Sequence, residues 1–222
     1  MDKMQITGAI FDLDGTLLDS MWVWNQVDID FLGKRGFEVP EDYAKTIAAM
    51  GFRETAEYTI DRFSLNESVD AVIAEWDRMA ADMYHNRVMT KPYVKEVLDR
   101  LSREGIHLGV ATASYRSLFE PCLRRNGILQ YFEAITETSE VERGKGFPDI
   151  YIKAAEKMKC KPEECLVFED ITKGIEAAAE GGFQTVAVFD KAAAAEWDEN
   201  KEKANYFITD FEEMLQPGAF VI

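Results

Sequence analysis

The chain has 222 residues, enough for one or two domains and for a core that hides roughly 70% of the unfolded surface. Its 25 Lys and Arg stand against 41 Asp and Glu, a formal net charge of −16, which argues against nonspecific binding to nucleic acid or to an anionic membrane and otherwise serves solubility. Three cysteines without a CxxC pair, no apolar run of ~18 residues and a strand pattern that begins almost at Met1 speak against a disulfide scaffold, a membrane span and a secretory leader, so the expectation is a cytoplasmic protein with reduced thiols.

In chain order, the apolar run 6–13 reads as a strand ending in Asp12 and Asp14, with Gly15 to let the chain turn. Two carboxylates delivered to one strand end repel each other without a cation. The pattern therefore points to a hard divalent metal with oxygen ligands, and so to a phosphate site. From about Ser20 to Val88 the strand signal disappears. Segments 28–32, 43–49, 54–63 and 68–84 carry helical spacing, punctuated by Gly33, Gly36, Pro40 and Gly51.

Alternation then begins. Val94, Val97, Leu98 and Leu101 share one helical face, with Gly105 as a stop, and 107–113 follows as a strand. A helix over 117–125 stops near Asn126-Gly127, and 132–136 is a weaker strand. Pro148 stands in the first turn of a helix that includes Ile150, Tyr151 and Ala154. Segment 165–168 is a strand ending in Glu169-Asp170, and a helix over 174–180 ends at Gly181-Gly182. Segment 184–189 is a strand ending in Asp190, and 206–208 is a sixth. Continuous apolar strands alternating with helices predict an α/β fold around a parallel sheet, with a helical insertion after the first strand.

Ligands of open α/β sheets bind at the carboxyl ends of the strands. Those ends here are Asp12 and Asp14, then Thr112-Ala113-Ser114, then Glu169-Asp170, with Lys145 in the glycine-flanked loop Gly144-Lys145-Gly146. Carboxylates, a hydroxyl with nearby backbone N–H groups, and a lysine would together hold a metal and a phosphate. Taken singly each has an ordinary reading: acidic loop solvation, Thr112 as a helix cap, Lys145 as a surface lysine.

The order of these motifs resembles the haloacid dehalogenase superfamily, in its phosphatase and β-phosphoglucomutase-like branch. The resemblance rests on Phe11-Asp12-Leu13-Asp14-Gly15-Thr16, on Val110-Ala111-Thr112-Ala113-Ser114, on Lys145 ahead of Pro148-Asp149-Ile150-Tyr151, and on Phe168-Glu169-Asp170 followed by Gly174-Ile175-Glu176-Ala177-Ala178. It implies a Rossmann-like catalytic core over residues 1–19 and 89–222, and a small all-helical cap domain over 20–88. By that resemblance Asp12 is the nucleophile that becomes an aspartyl-phosphate, and Asp14 the general acid and base. Thr112, Ala113 and Lys145 hold the phosphate. Mg²⁺ sits on Asp12, the Asp14 backbone carbonyl, Glu169 and Asp170. The implied partner is a small phosphorylated metabolite, such as a sugar phosphate, and neither nucleic acid nor membrane. Oligomeric state stays open, with a monomer compatible.

Two departures matter. The usual Lys-Pro-x-Pro form is Lys145-Gly146-Phe147-Pro148 here, which widens the backbone options of the loop. Sugar-phosphate mutases of this type carry a histidine in the first cap helix where this chain has Trp24, which favours hydrolysis over a phosphosugar mutase. Arg53 matches a substrate-contacting loop of related caps. Trp22 and Trp24 either line the cavity or pack the cap, and Lys45 matches a Schiff-base lysine of phosphonate-cleaving relatives only by type. A phospho-receiver signalling module also uses Asp, Thr and Lys at strand ends, but in a shorter chain with the acceptor on a later strand. His85 and His107 have no motif around them.

Overall fold

The computed structural model describes residues 6–47 and 50–216. The chain divides into two compact units, one of residues 1–20 and 88–222, the other of residues 21–87.

The first unit is built on six parallel strands. They are β1 (Gly8–Phe11), β4 (His107–Thr112), β5 (Ala134–Glu137), β6 (Cys165–Glu169), β7 (Gln184–Val188) and β8 (Tyr206–Ile208), in the order β5-β4-β1-β6-β7-β8. Every residue of β1 and β6 is buried, as the unbroken apolar runs predict for strands covered on both faces. Register is direct: Phe11 lies beside Val110 on one side and Phe168 on the other. The strand order turns outward in both directions from β1, so the switch point, where such sheets bind ligands, is at the end of β1.

Four helices of this unit fall where the sequence spacing places them: α5 (Val94–Arg103), α6 (Arg116–Arg125), α7 (Asp149–Met158) and α8 (Thr172–Glu180), while α9 (Trp197–Lys203) has no counterpart among the sequence expectations. Ile150, Tyr151, Ala154 and Met158 of α7 join Ile10, Ala111, Val167 and Phe183 in one buried cluster. Phe11 stacks on Phe168 at 4.4 Å, and burial of each such ring stabilises the fold by roughly 1.5–3 kcal/mol. Pro148 is the cap residue before α7 rather than a member of its first turn, and the weak strand is 134–137 rather than 132–136.

The sequence pattern has no counterpart for one element. β2 (Leu18–Asp19) and β3 (Met89–Thr90) form a two-stranded antiparallel ribbon at the points where the chain leaves and re-enters this unit. Strands of two residues are too short to express a period.

The second unit consists of α1 (Trp22–Gly33), α2 (Tyr43–Ile47), α3 (Phe52–Phe63) and α4 (Val69–Asn86). Helix α1 begins six residues before the predicted 28–32 segment. Its opening Trp22-Val23-Trp24 is composed of strand-favouring residues, and tertiary packing of Val23, Val27, Phe31 and Leu32 overrides that preference. The last two residues of the predicted 43–49 helix lie outside the described residues. Phe31 packs edge-on against Trp76, and Tyr43 Oη shares a 2.7 Å hydrogen bond with Thr59 in the core of this unit. Among the described residues no helix is long and apolar enough to cross a membrane.

Candidate active site

Asp12 stands one residue beyond β1, where its N–H donates to the Phe168 carbonyl of β6 at 3.1 Å. That bond continues the parallel ladder and fixes Asp12 beside the end of β6, which carries Glu169 and Asp170. All three carboxylates are buried, and one oxygen from each lies within 4.8 Å of the others. Lys145 reaches the same point from its loop. Its Nζ pairs closely with Asp12 Oδ1 and at 2.8 Å with Glu169 Oε1. Four of the residues proposed from sequence thus meet within one cluster.

The cluster carries more negative than positive charge, and its ionisation records the strain. Burial pushes the Asp12 carboxyl well above the usual range. Lys145 opposes that push, and the Glu169, Asp170 and Asp14 carboxylates add to it. Burial likewise lifts Asp170 to about 7, with Glu169 adding to the rise and Lys145 opposing it. Burial alone would push Lys145 down, but Asp12 and Glu169 outweigh it and hold the ammonium above its ordinary value. Glu169 Oε1 accepts from both Lys145 and the Tyr151 hydroxyl, the latter at 2.7 Å, whereas its Oε2 is buried without a hydrogen-bond partner. An orphaned carboxylate oxygen among acids is a costly arrangement that a divalent cation relieves. Asp12, Glu169 and Asp170 form an all-oxygen donor set suited to a hard cation such as Mg²⁺.

Glycines make the crowding possible. Gly15 has φ +86°, and a Cβ there would come within 2.3 Å of Asp170 Oδ2. A Cβ on Gly174 would stand 2.6 Å from the Glu169 carboxyl carbon, so the first turn of α8 can approach that side chain only because the residue is glycine.

Asp14 is half-buried, and its Oδ1 accepts a 2.6 Å hydrogen bond from Ser20 Oγ. Its side chain is outside the three-carboxylate group, which leaves only its backbone carbonyl for the predicted ligand role. Thr112 ends β4 fully buried, and its Oγ1 accepts the Ser114 N–H at 3.0 Å. Ala113 is exposed beside it. Arg53 and Trp24 belong to the helical unit. Arg53 pairs at 2.6 Å with Asp70 on the surface, and Trp24, 40% exposed, meets Phe52 edge-on.

Several supporting contacts have no signal in the chain, even where a motif includes the residue. The Thr16 hydroxyl donates to Asp170 Oδ1 at 3.3 Å. Asn200, fully buried, donates to the Asp170 carbonyl at 2.7 Å and accepts from the Thr172 hydroxyl at 2.6 Å. Tyr151 was legible as part of a motif, but its bond to Glu169 needed the fold. A lone asparagine in a charged helix carries no pattern at all.

A family model described as haloacid dehalogenase-like hydrolase matches residues 9–188. The chain is 32% identical over 218 residues to "Putative pyrophosphatase PpaX" of Caldanaerobacter subterraneus, covering 96% of this chain and 94% of that one. It is 30% identical over 183 residues to fructose-1-phosphate phosphatase YqaB of Escherichia coli, covering 82% and 95%. Among solved structures it superposes on "putative beta-phosphoglucomutase from Thermotoga maritima" with a TM-score of 0.82 at 25% identity, covering 95% and 97%. With the motif residues gathered at the switch point of a parallel sheet, the chain is an enzyme that belongs to the haloacid dehalogenase-like hydrolase family.

Proposed function

We propose that this hydrolase is a phosphatase that cleaves the phosphomonoester of a small metabolite, a sugar phosphate or a close relative of one, in the cytoplasm. The observation that carries the reading is the buried pairing of Lys145 with both Asp12 and Glu169 beside Asp170. Burying three carboxylates around one lysine costs stability, and the arrangement makes chemical sense where a cation and a phosphoryl group are to be held. Sugar-phosphate phosphatases among the relatives support the substrate class.

Asp12 attacks phosphorus, so that a bond forms between its carboxylate oxygen and phosphorus while the ester P–O bond breaks. Asp14 gives its proton to the leaving oxygen. In the second step Asp14 takes a proton from water, whose oxygen attacks phosphorus and frees the Asp12 carboxylate. The Thr112 hydroxyl and the Ala113 N–H hold phosphoryl oxygens, and Lys145 offsets charge on Asp12 and on the group in transfer. Mg²⁺, held by Asp12, Glu169, Asp170 and the Asp14 backbone carbonyl, supplies charge neutralisation when bound. Arg53 and Trp24 are the helical unit's candidates for substrate contact.

The test is hydrolysis of p-nitrophenyl phosphate with and without Mg²⁺, followed by kcat/KM across a panel of phosphorylated metabolites. Hydrolysis that persists in Asp12→Asn rules out the nucleophile. Interconversion of sugar-phosphate isomers with a bisphosphate activator would make the enzyme a mutase, and a phospho-aspartate stable for minutes would make it a signalling module.

A further inference from the structure

Asp190 follows Phe189 just beyond β7, near the strand ends, yet the chemistry above leaves it without a task. Its Oδ2 pairs at 2.9 Å with Lys91 Nζ, and the two side chains are only 9% and 14% exposed. Lys91 Nζ also donates to the Phe189 carbonyl at 2.7 Å, and Asp190 Oδ1 accepts the Ala192 N–H at 2.8 Å. Such a pair holds geometry well, because removing either partner strands the other charge away from water.

Lys91 directly follows the ribbon strand β3. Its own N–H donates to the Leu17 carbonyl at 2.9 Å, and Thr90 pairs with Leu18. The Leu18 N–H donates to the Leu13 carbonyl at 2.7 Å, the Gly15 N–H donates to the Leu18 carbonyl at 3.1 Å, and Asp14 itself bridges to Leu18. The turn that presents Asp14 is therefore tied to the ribbon, and the ribbon to the end of β7. On the other side Asn126 holds the same strand, accepting from the Thr90 N–H at 3.2 Å and donating to the Val88 carbonyl at 3.1 Å.

We propose that Lys91 and Asp190 are positioning residues for Asp14: their ion pair latches the β2–β3 ribbon to the strand ends and so fixes the turn that aims the acid at the leaving oxygen. The inference rests on the reading of Asp14 as general acid. It has a signature that a loss of stability lacks. Protonation of the leaving oxygen matters most for a poor leaving group, so a misplaced acid costs more with phenyl phosphate than with p-nitrophenyl phosphate.

The experiment compares kcat/KM for the two esters in wild type, Lys91→Met, Asp190→Asn, the double variant and Lys91→Arg, with amide hydrogen exchange measured over residues 13–19. The expected result is a loss about tenfold greater for phenyl than for p-nitrophenyl phosphate in both single variants. The double variant, which strands no charge, should show the same bias, and Lys91→Arg should largely restore the ratio. The Gly15 and Leu18 amides should exchange about tenfold faster wherever the pair is broken. Equal losses on both esters, or unchanged exchange in the ribbon, overturn the proposal. A wild type that hydrolyses neither ester instead defeats the phosphatase reading, and amide exchange alone then decides whether the latch holds the turn.

Discussion

The two units treat charge in opposite ways. In the α/β unit Asp12, Glu169 and Asp170 are packed together out of water around Lys145, and burial raises the carboxyl groups of Asp12 and Asp170. In the helical unit the arginine ion pairs are partly open to solvent. Arg35 binds Glu67 and Glu75, and Arg62 binds Asp42, and these arginines hold the three carboxyls below their ordinary range. Surface pairing of that kind contributes little to stability and asks for no ligand. A concentration of buried like charge is unfavourable for folding alone, and that contrast supports the proposed site more strongly than any single residue does.

The largest effect that would break this contrast is on Asp12. Asp12→Asn should lower kcat at least about 10³-fold while raising the melting temperature of the metal-free protein, since one desolvated charge is removed. Calorimetry without metal checks the second part, and a lower melting temperature would mean that the pairing with Lys145 outweighs burial.

Next comes pH. The Asp170 carboxyl sits at about 7 in the fold against roughly 4 in the unfolded chain, so between those values the fold binds the extra proton. Asp170's contribution to the stability of the metal-free protein should be fully present below about pH 4 and be lost as pH rises through 7, a loss on the order of 2–4 kcal/mol. Added Mg²⁺ should restore more of it the higher the pH. The helical unit's arginine-held carboxyls have the opposite sign: their contribution is present above about pH 4.5 and is lost on further acidification. Urea titrations across pH, with and without Mg²⁺, separate the two.

Tyr151→Phe removes one of the two donors to Glu169 Oε1 and should lower kcat about tenfold with little change in KM, as steady-state kinetics would reveal. Asp28, like Asp77, departs from that pattern in the helical unit: burial raises both carboxyls, Asp28 to about 6. Asp28→Asn should leave stability at pH 4 unchanged and increase it by about 1 kcal/mol at pH 7, which denaturant unfolding at the two pH values measures. The smallest effect is on Arg53→Ala, whose exposed pair with Asp70 should alter stability by no more than about 0.5 kcal/mol. A rise in KM with kcat unchanged would then identify Arg53 as a substrate contact.

The parallel strands were legible because β1, β4, β6 and β7 are apolar nearly throughout, a pattern that buried strands impose directly on sequence. Asp12, Asp14, Thr112, Glu169 and Asp170 stood out because each follows or ends such a run, and Lys145 because its glycine-flanked loop precedes a proline-capped helix. The start of α1 was not legible, since its tryptophans and valine favour strands locally and helical packing decides otherwise. Nor was the ribbon, which has no period to read.

Sequence by itself determined the alternation of strand and helix, the helical insertion and the residues at the strand ends, because hydrophobic periodicity and strand termination are local properties of the chain. Only the tertiary structure decided that Tyr151 bonds to Glu169, that Asn200 holds the Asp170 carbonyl, and that Lys91 meets Asp190. Those pairs join residues from 18 to 99 positions apart in the chain. No local pattern encodes them. Their partners are chosen by strand order and register, which bring distant strand ends to one edge of the sheet and leave buried polar groups to find one another there.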